Sequence, residues 1–182
     1  MRQSIIVLAS ILVAGLAGHV PMAAATTSSE LLKCQKTIEK GVRSLASQTL
    51  VQVTNCSTKV VNCKLSGEID GEDTGECLAK ATAGCSKAPD KVYSALGKNR
   101  DKAIAACGLI PFDELKAYIA GLGFFNVAAG CTPAAGNVND LMQCVFNDAR
   151  CNAESQVFLL DPRAQDAVTT ANIQISFPCV AP

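Results

Sequence analysis

The sequence predicts an all-α protein: a disulfide-laddered antiparallel helical hairpin, then a smaller helical C-terminal part and an extended tail, about four to five helices in all. Three observations predict it. The chain carries ten cysteines, an even set. Apolar residues in two cysteine-bounded arms recur close to helical spacing. The cysteines of those arms stand almost symmetrically about a polar, glycine-rich stretch.

The N-terminus has a different character. Met1 and Arg2 open a positive region, and Ile5–Ala17 is an apolar run of 13 residues. Residues 21–25, Pro-Met-Ala-Ala-Ala, then offer a small-residue cleavage site, so residues 1–25 are expected to be a signal peptide cut between Ala25 and Thr26. A membrane span needs about 20 apolar residues, and the run is too short for one. His19 stands where a lipoprotein would need Cys. The remaining 26–182 are expected to form one disulfide-rich helical domain, with 26–110 as the hairpin and 111–182 as the C-terminal part.

In the first arm, residues 29–63, Leu31, Ile38, Val42, Leu45 and Val53 recur at helical spacing, and Ser28 or Ser29 is expected to cap the start. Residues 64–76 are polar and glycine-rich and are expected to be a loop. The second arm, 76–107, is alanine-rich, with Val92, Leu96, Ala103 and Cys107 on one stripe. Pro89 is expected to break or kink it near Lys87.

Spacing then predicts connectivity. Backwards from the loop, Cys63 to Cys56 is 7 residues and Cys56 to Cys34 is 22; forwards, Cys77 to Cys85 is 8 and Cys85 to Cys107 is 22. At helical rise, 22 residues span about 33 Å and 7 span about 10.5 Å. Cys56 and Cys63 therefore share a face but are too far apart to be bridged, because bridged Cα atoms lie within about 7 Å. An antiparallel hairpin instead pairs Cys63 with Cys77, Cys56 with Cys85 and Cys34 with Cys107. The outermost rung is the vulnerable one: a kink at Pro89 would displace Cys107, and Cys34 would then take Cys131.

Beyond Cys107-Gly108, Pro111-Phe112-Asp113 is expected to start a short helix through Ala120, with Leu115, Tyr118, Ile119 and Leu122 apolar. Gly121, Gly123 and Gly130 loosen the chain after it. Asn139 or Asp140 is expected to cap a helix to about Leu160, carrying Leu141, Cys144, Cys151 and Phe158 on one stripe. Cys144 and Cys151 repeat the seven-residue step, so the remaining expected bridges are Cys131–Cys144 and Cys151–Cys179. Asp161-Pro162 has the form of an N-cap with proline at the first helical position. Ile173, Ile175 and Phe177 alternate, as an extended tail would.

Composition excludes much chemistry. An even cysteine set behind a signal peptide points to five disulfides in an oxidising space, secreted or periplasmic. No Cys-x-x-Cys occurs, as a zinc knuckle or thioredoxin-like centre would need. The single histidine, His19, lies in the expected leader. Residues 26–182 therefore support no Ser–His or Cys–His catalysis and no histidine-bound metal. No cofactor is expected.

The segments Lys33-Cys34-Gln35-Lys36-Thr37-Ile38, Leu141-Met142-Gln143-Cys144, Pro162-Arg163-Ala164 and Phe177-Pro178-Cys179 flank the long cysteine-bounded arms. Together they resemble a family of uncharacterised, secreted, cysteine-rich helical proteins of environmental bacteria. That resemblance implies class and compartment but no activity and no site residue. The adjacent Cys-Cys and Cys-x-Cys of plant lipid-transfer proteins are missing.

Four features are candidate sites. Glu68, Asp70, Glu72, Asp73 and Glu76 crowd the expected loop. Counted from Asp70 as an EF-hand, Glu72 and Gly75 fall in place, but position 12, which needs a bidentate Glu, is Ala81. A solvated acidic loop is the plainer reading of it. Carboxylate chemistry on sugars is disfavoured by six Phe, two Tyr and no Trp. Residues 26–110 hold 12 Lys/Arg against 9 Asp/Glu, while 111–182 hold 3 against 7. If the ladder forms, Lys33, Lys36, Lys40 and Arg43 approach Lys98, Arg100 and Lys102, a patch suited to an anionic partner. Nucleic acid is not the expected partner, for the whole chain is neutral and no stacking aromatics flank the basic residues. Ile119–Ala129 is a long uncharged apolar stretch that could line a pocket. Asn55-Cys56-Ser57 fits a glycosylation sequon, with a bridged cysteine at its centre.

The expected function is a non-catalytic binding or structural module outside the cytoplasm. A carrier of a small apolar ligand held between helices is the alternative, and a hydrolase using carboxylates comes third. No membrane span is expected after signal cleavage.

Overall fold

A computed structural model describes residues 26–161 with Arg163, Ala164 and Cys179. The expected signal peptide and the alternating Ile173, Ile175 and Phe177 lie outside the described residues. Within these bounds the chain is helical: α1 Ser28–Leu65, a π-helical turn Ser66–Asp70, α2 Gly75–Cys85, α3 Ala88–Cys107, α4 Phe112–Lys116, α5 Phe125–Gly130 and α6 Val138–Leu160. No strand occurs among the described residues.

α1 is continuous for 38 residues, through Gly41 and the β-branched run at Val51–Thr54. Its cap is Thr27, not Ser28 or Ser29. The Glu30 amide donates to Thr27 Oγ1 at 3.3 Å and the Thr27 amide donates to Glu30 Oε2 at 2.8 Å, a reciprocal capping box. The Thr27 amide also holds the Glu30 carboxyl below its ordinary range. At the other end the expected loop is shorter than 64–76. α1 runs to Leu65, the π turn carries the chain to Asp70, and Gly71 ends it in the left-handed region, at φ 68°. The second arm breaks at Ser86–Lys87, and Pro89 opens α3 within its first turn, where a missing amide hydrogen costs nothing.

The rungs of the ladder join these elements. Cys34–Cys107, Cys56–Cys85 and Cys63–Cys77 have Cα separations of 4.9, 5.1 and 5.6 Å. The 22-residue register survives the break at Ser86–Lys87, so Cys34 keeps Cys107. Cys131–Cys144 and Cys151–Cys179 complete the set, and no free cysteine remains. Five disulfides fit an oxidising compartment.

α6 lies along the hairpin as the third long helix. Phe146 meets α1 at Gly41, and Val157 shares a cluster with Val53, so α6 runs parallel to α1. The main core gathers Cys34, Ile38, Leu45, Val92, Leu96, Ala103, Cys107, Leu141, Met142 and Phe146, closed at its end by Ile110, Leu115 and Ala128. Its composition corrects the expected stripe of α6. Leu141 is buried, but Cys144, Cys151 and Phe158 are only half-buried; the inward face is Met142, Phe146, Arg150, Ala153, Glu154 and Val157. The side that α1 and α3 cover decides which stripe is core. The helix is also capped earlier than expected, by Asn137, whose Oδ1 accepts from the Asp140 amide at 3.1 Å.

α4 stops at Lys116 rather than Ala120, because the chain turns back there: the Gly123 amide donates to the Ala117 carbonyl and the Phe124 amide to that of Leu115. Tyr118 and Ile119, expected beside Leu115, are exposed instead. Residues 125–130 then form a short helix where looser chain was expected.

Two glycines give opposite tests of this packing. A Cβ at Gly41 would lie 2.9 Å from Phe146 Cζ, whereas one at Gly97 would meet nothing within 4 Å. Gly97→Ala is expected to add about 0.5–1 kcal/mol through helix propensity. Gly41→Ala is expected to cost about 1–2 kcal/mol net, because overpacking outweighs that gain. Chemical denaturation of the two variants beside the parent checks the opposite signs.

Candidate functional site

The ladder places the N-terminal half of α1 beside the C-terminal half of α3, and a groove of about 660 Å³ opens along that seam. Ser29, Leu32, Lys33, Lys36, Thr37, Lys40, Gly41 and Ser44 line it from α1, and Asn99 and Lys102 from α3. Lys33, Lys36 and Lys40 follow one another at steps of three and four, which brings them to one side of the helix. They extend over about 10.5 Å of helix axis. Lys102 comes from the opposite wall.

Among the described residues no carboxylate lines the groove. The four ammonium groups make no ion pair among the described residues, whereas neighbouring charges are matched: Arg43 holds Glu39 at 2.6 Å and Arg100 holds Asp101 at 2.8 Å. Arg100 also donates to Gln143 Oε1 of α6 at 2.6 Å. Of the seven basic residues that the sequence brings together, four therefore converge and Arg43, Lys98 and Arg100 do not line the groove. Leu32 and the aliphatic stems of the lysines give the groove apolar surface beside its charge. Hydroxyl and amide groups of Ser29, Thr37, Ser44 and Asn99 add hydrogen-bonding capacity without charge.

The other candidates disperse. Glu68 takes Arg163 on both oxygens, at 2.9 and 2.7 Å; Glu76 pairs with Lys80; and Asp73 Oδ1 accepts from the Gly75 amide. Three of the five carboxylates are thus turned to separate partners, and among the described residues no group of metal-ligating side chains forms. Within Ile119–Ala129, Leu122 and Phe124 pack against the core while Phe125 and Val127 face solvent, so these residues do not converge on one cavity. Asn55 is exposed on α1, beside the buried Cys56.

Sequence reasoning missed a buried polar layer. Arg150 and Glu154 of α6 lie inside, with Arg150 Nη1 3.3 Å from Glu154 Oε1. The same nitrogen donates to Tyr93 Oη of α3 at 3.2 Å, and the guanidinium stands 5.2 Å from the Tyr93 ring centre. Thr49 of α1 is fully buried, with no partner for Oγ1 among the described residues. This layer separates the main core from the cluster of Val53, Ala88 and Val157. Burial pushes the Glu154 carboxyl up, against the pull of the Arg150 charge and the Cys179 amide. The available signal was that Arg150 and Glu154 continue the spacing of Phe146 and Val157.

No family model, no curated protein and no solved structure matches this chain. The fold and the groove therefore define only a class: a disulfide-laddered helical bundle with a lysine-lined seam.

Proposed function

We propose that the protein is an exported, non-catalytic binding module, secreted or periplasmic, whose α1/α3 groove holds an anionic ligand. One observation carries the reading: among the described residues, four unpaired lysines line a single groove and no carboxylate lines it. Grouped like charges repel one another, and an anion seated between them removes that repulsion. Five disulfides support a place outside the reducing cytoplasm.

Titration calorimetry with a sulfated oligosaccharide is the test. Binding is expected to weaken steeply with added salt, as exposed charges are screened within about 8 Å at physiological ionic strength. The triple reversal K33E/K36E/K40E is expected to lower affinity by about a hundredfold, some 2.7 kcal/mol. K59E/K80E, at the far end of the hairpin, serves as the control for charge reversal away from the groove and is expected to bind like the parent. Equal affinity in the triple reversal and the control would overturn the groove as the site.

A further inference from the structure

The segment between α4 and α5 presents apolar side chains outward on a constrained backbone. Residues 117–130 contain no charged side chain. The turn is closed at its base, with Gly123 N–H to Ala117 O at 2.9 Å and Phe124 N–H to Leu115 O at 3.1 Å. Ala120 holds φ at 60°, a conformation that L-residues adopt only when their surroundings impose it. A Cβ on Gly121 would lie 2.0 Å from the Glu114 carbonyl oxygen, so only glycine fits there. Leu122 and Phe124 anchor this turn in the core.

At its tip Ile119 is 90% exposed and Tyr118 65% exposed, and the half-exposed Phe125 ring lies 6.4 Å from that of Tyr118. Leu109, just past the end of α3, is also fully outside. Exposed large apolar side chains held in place, rather than folded away, mark a surface meant to be covered. Their location narrows what covers them. Cys34–Cys107 ties the start of α1 to the end of α3, so this tip and the lysine groove occupy the same end of the bundle.

We infer that this end docks on an anionic lipid bilayer. Tyr118, Ile119 and Phe125 enter the interface while Lys33, Lys36, Lys40 and Lys102 take the lipid phosphates. The inference rests on the anion-binding reading of the groove and names the source of the anion. Charge complementarity favours it: four lysines at the same end of the bundle as a small apolar tip supply the two signals that together hold a protein on an anionic membrane. The exposed Asp113 near the tip is neutralised by Lys116 at 2.8 Å. Tyrosine suits the interface, with its ring in the apolar layer and its hydroxyl in water. A protein partner fits less well, since stable interfaces engage about 20–30 residues a side and the tip offers a few.

The test uses the full oxidised chain and co-sedimentation with vesicles. Vesicles of equimolar phosphatidylglycerol and phosphatidylcholine are expected to bind the protein, and vesicles of phosphatidylcholine alone are not. Ile119→Asp alters an exposed residue and is expected to weaken vesicle binding by about tenfold or more, while leaving affinity for the soluble sulfated oligosaccharide unchanged. K33E/K36E/K40E is expected to lose both. If Ile119→Asp binds anionic vesicles like the parent, or the parent binds the oligosaccharide but no vesicle, the lipid inference fails and the groove reading stands. If the triple reversal binds both probes like the parent, the groove reading itself fails. Sedimentation velocity showing a dimer that Ile119→Asp abolishes, without vesicle binding, would assign the tip to a second copy and overturn the lipid inference.

Discussion

Full reduction of the protein is expected to unfold it at moderate temperature. The bridges close sequence separations of 73, 29, 14, 13 and 28 residues. By loop-closure entropy each contributes about 3–4.5 kcal/mol, chiefly by restricting the unfolded chain. Even with allowance for nested loops, their sum rivals the whole stability of a domain, about 5–15 kcal/mol. Far-ultraviolet circular dichroism with and without a strong phosphine reductant checks this, and an unchanged thermal midpoint would contradict it. Among pairwise replacements, Cys34→Ala with Cys107→Ala opens the longest loop and is expected to cost the most. Alkylation of the unreduced, denatured protein is expected to label no cysteine.

Arg150→Met is expected to destabilise the protein by about 3–5 kcal/mol at neutral pH, because it leaves the Glu154 carboxylate buried without a counter-charge. The two partners are not equivalent. Burial raises the Glu154 carboxyl above its ordinary value of 4.5 even with Arg150 in place. The folded state therefore holds this proton more tightly than the unfolded chain does. Its contribution to stability is complete below pH 4.5 and is lost as pH rises through the raised folded value. Glu154→Gln carries no such loss. Its stability relative to the parent is expected to increase with pH above 4.5. The cost of Arg150→Met should shrink towards acid, where the carboxyl is protonated in both states. Replacing both, Arg150→Met with Glu154→Leu, should recover most of the loss, since an apolar pair of similar volume fills a buried ionic site well. Urea unfolding at several pH values reads all three variants. A cost for Arg150→Met that does not change with pH would show that the carboxyl is not what Arg150 compensates.

The hairpin was legible because two rigid regularities act on the same residues. Helical rise per residue is constant, and a disulfide tolerates only a narrow Cα separation. Two 22-residue intervals about a polar centre therefore leave few connectivities, and Cys34–Cys107 and Cys56–Cys85 form at 4.9 and 5.1 Å. The break before Pro89 was equally plain, since proline removes a donor and crowds the preceding turn. The basic patch was legible only as a set of seven residues. Which four of them face one groove depends on the pairing of α1 with α3 and on partners such as Glu39, Asp101 and Gln143.

What the sequence alone determined is therefore local and periodic: helical arms, their breaks, and the ladder of the hairpin. The tertiary structure decided everything that depends on a third element. Periodicity shows which residues of α6 share a face, but not which face α1 and α3 will cover. Hence Cys144 and Phe158 lie at the flank, while Arg150 and Glu154 are inside. The same holds at the other end, where a backbone turn against the Glu114 carbonyl sends Leu122 inward and Ile119 outward. Burial belongs to the space between elements, and a sequence pattern describes one element at a time.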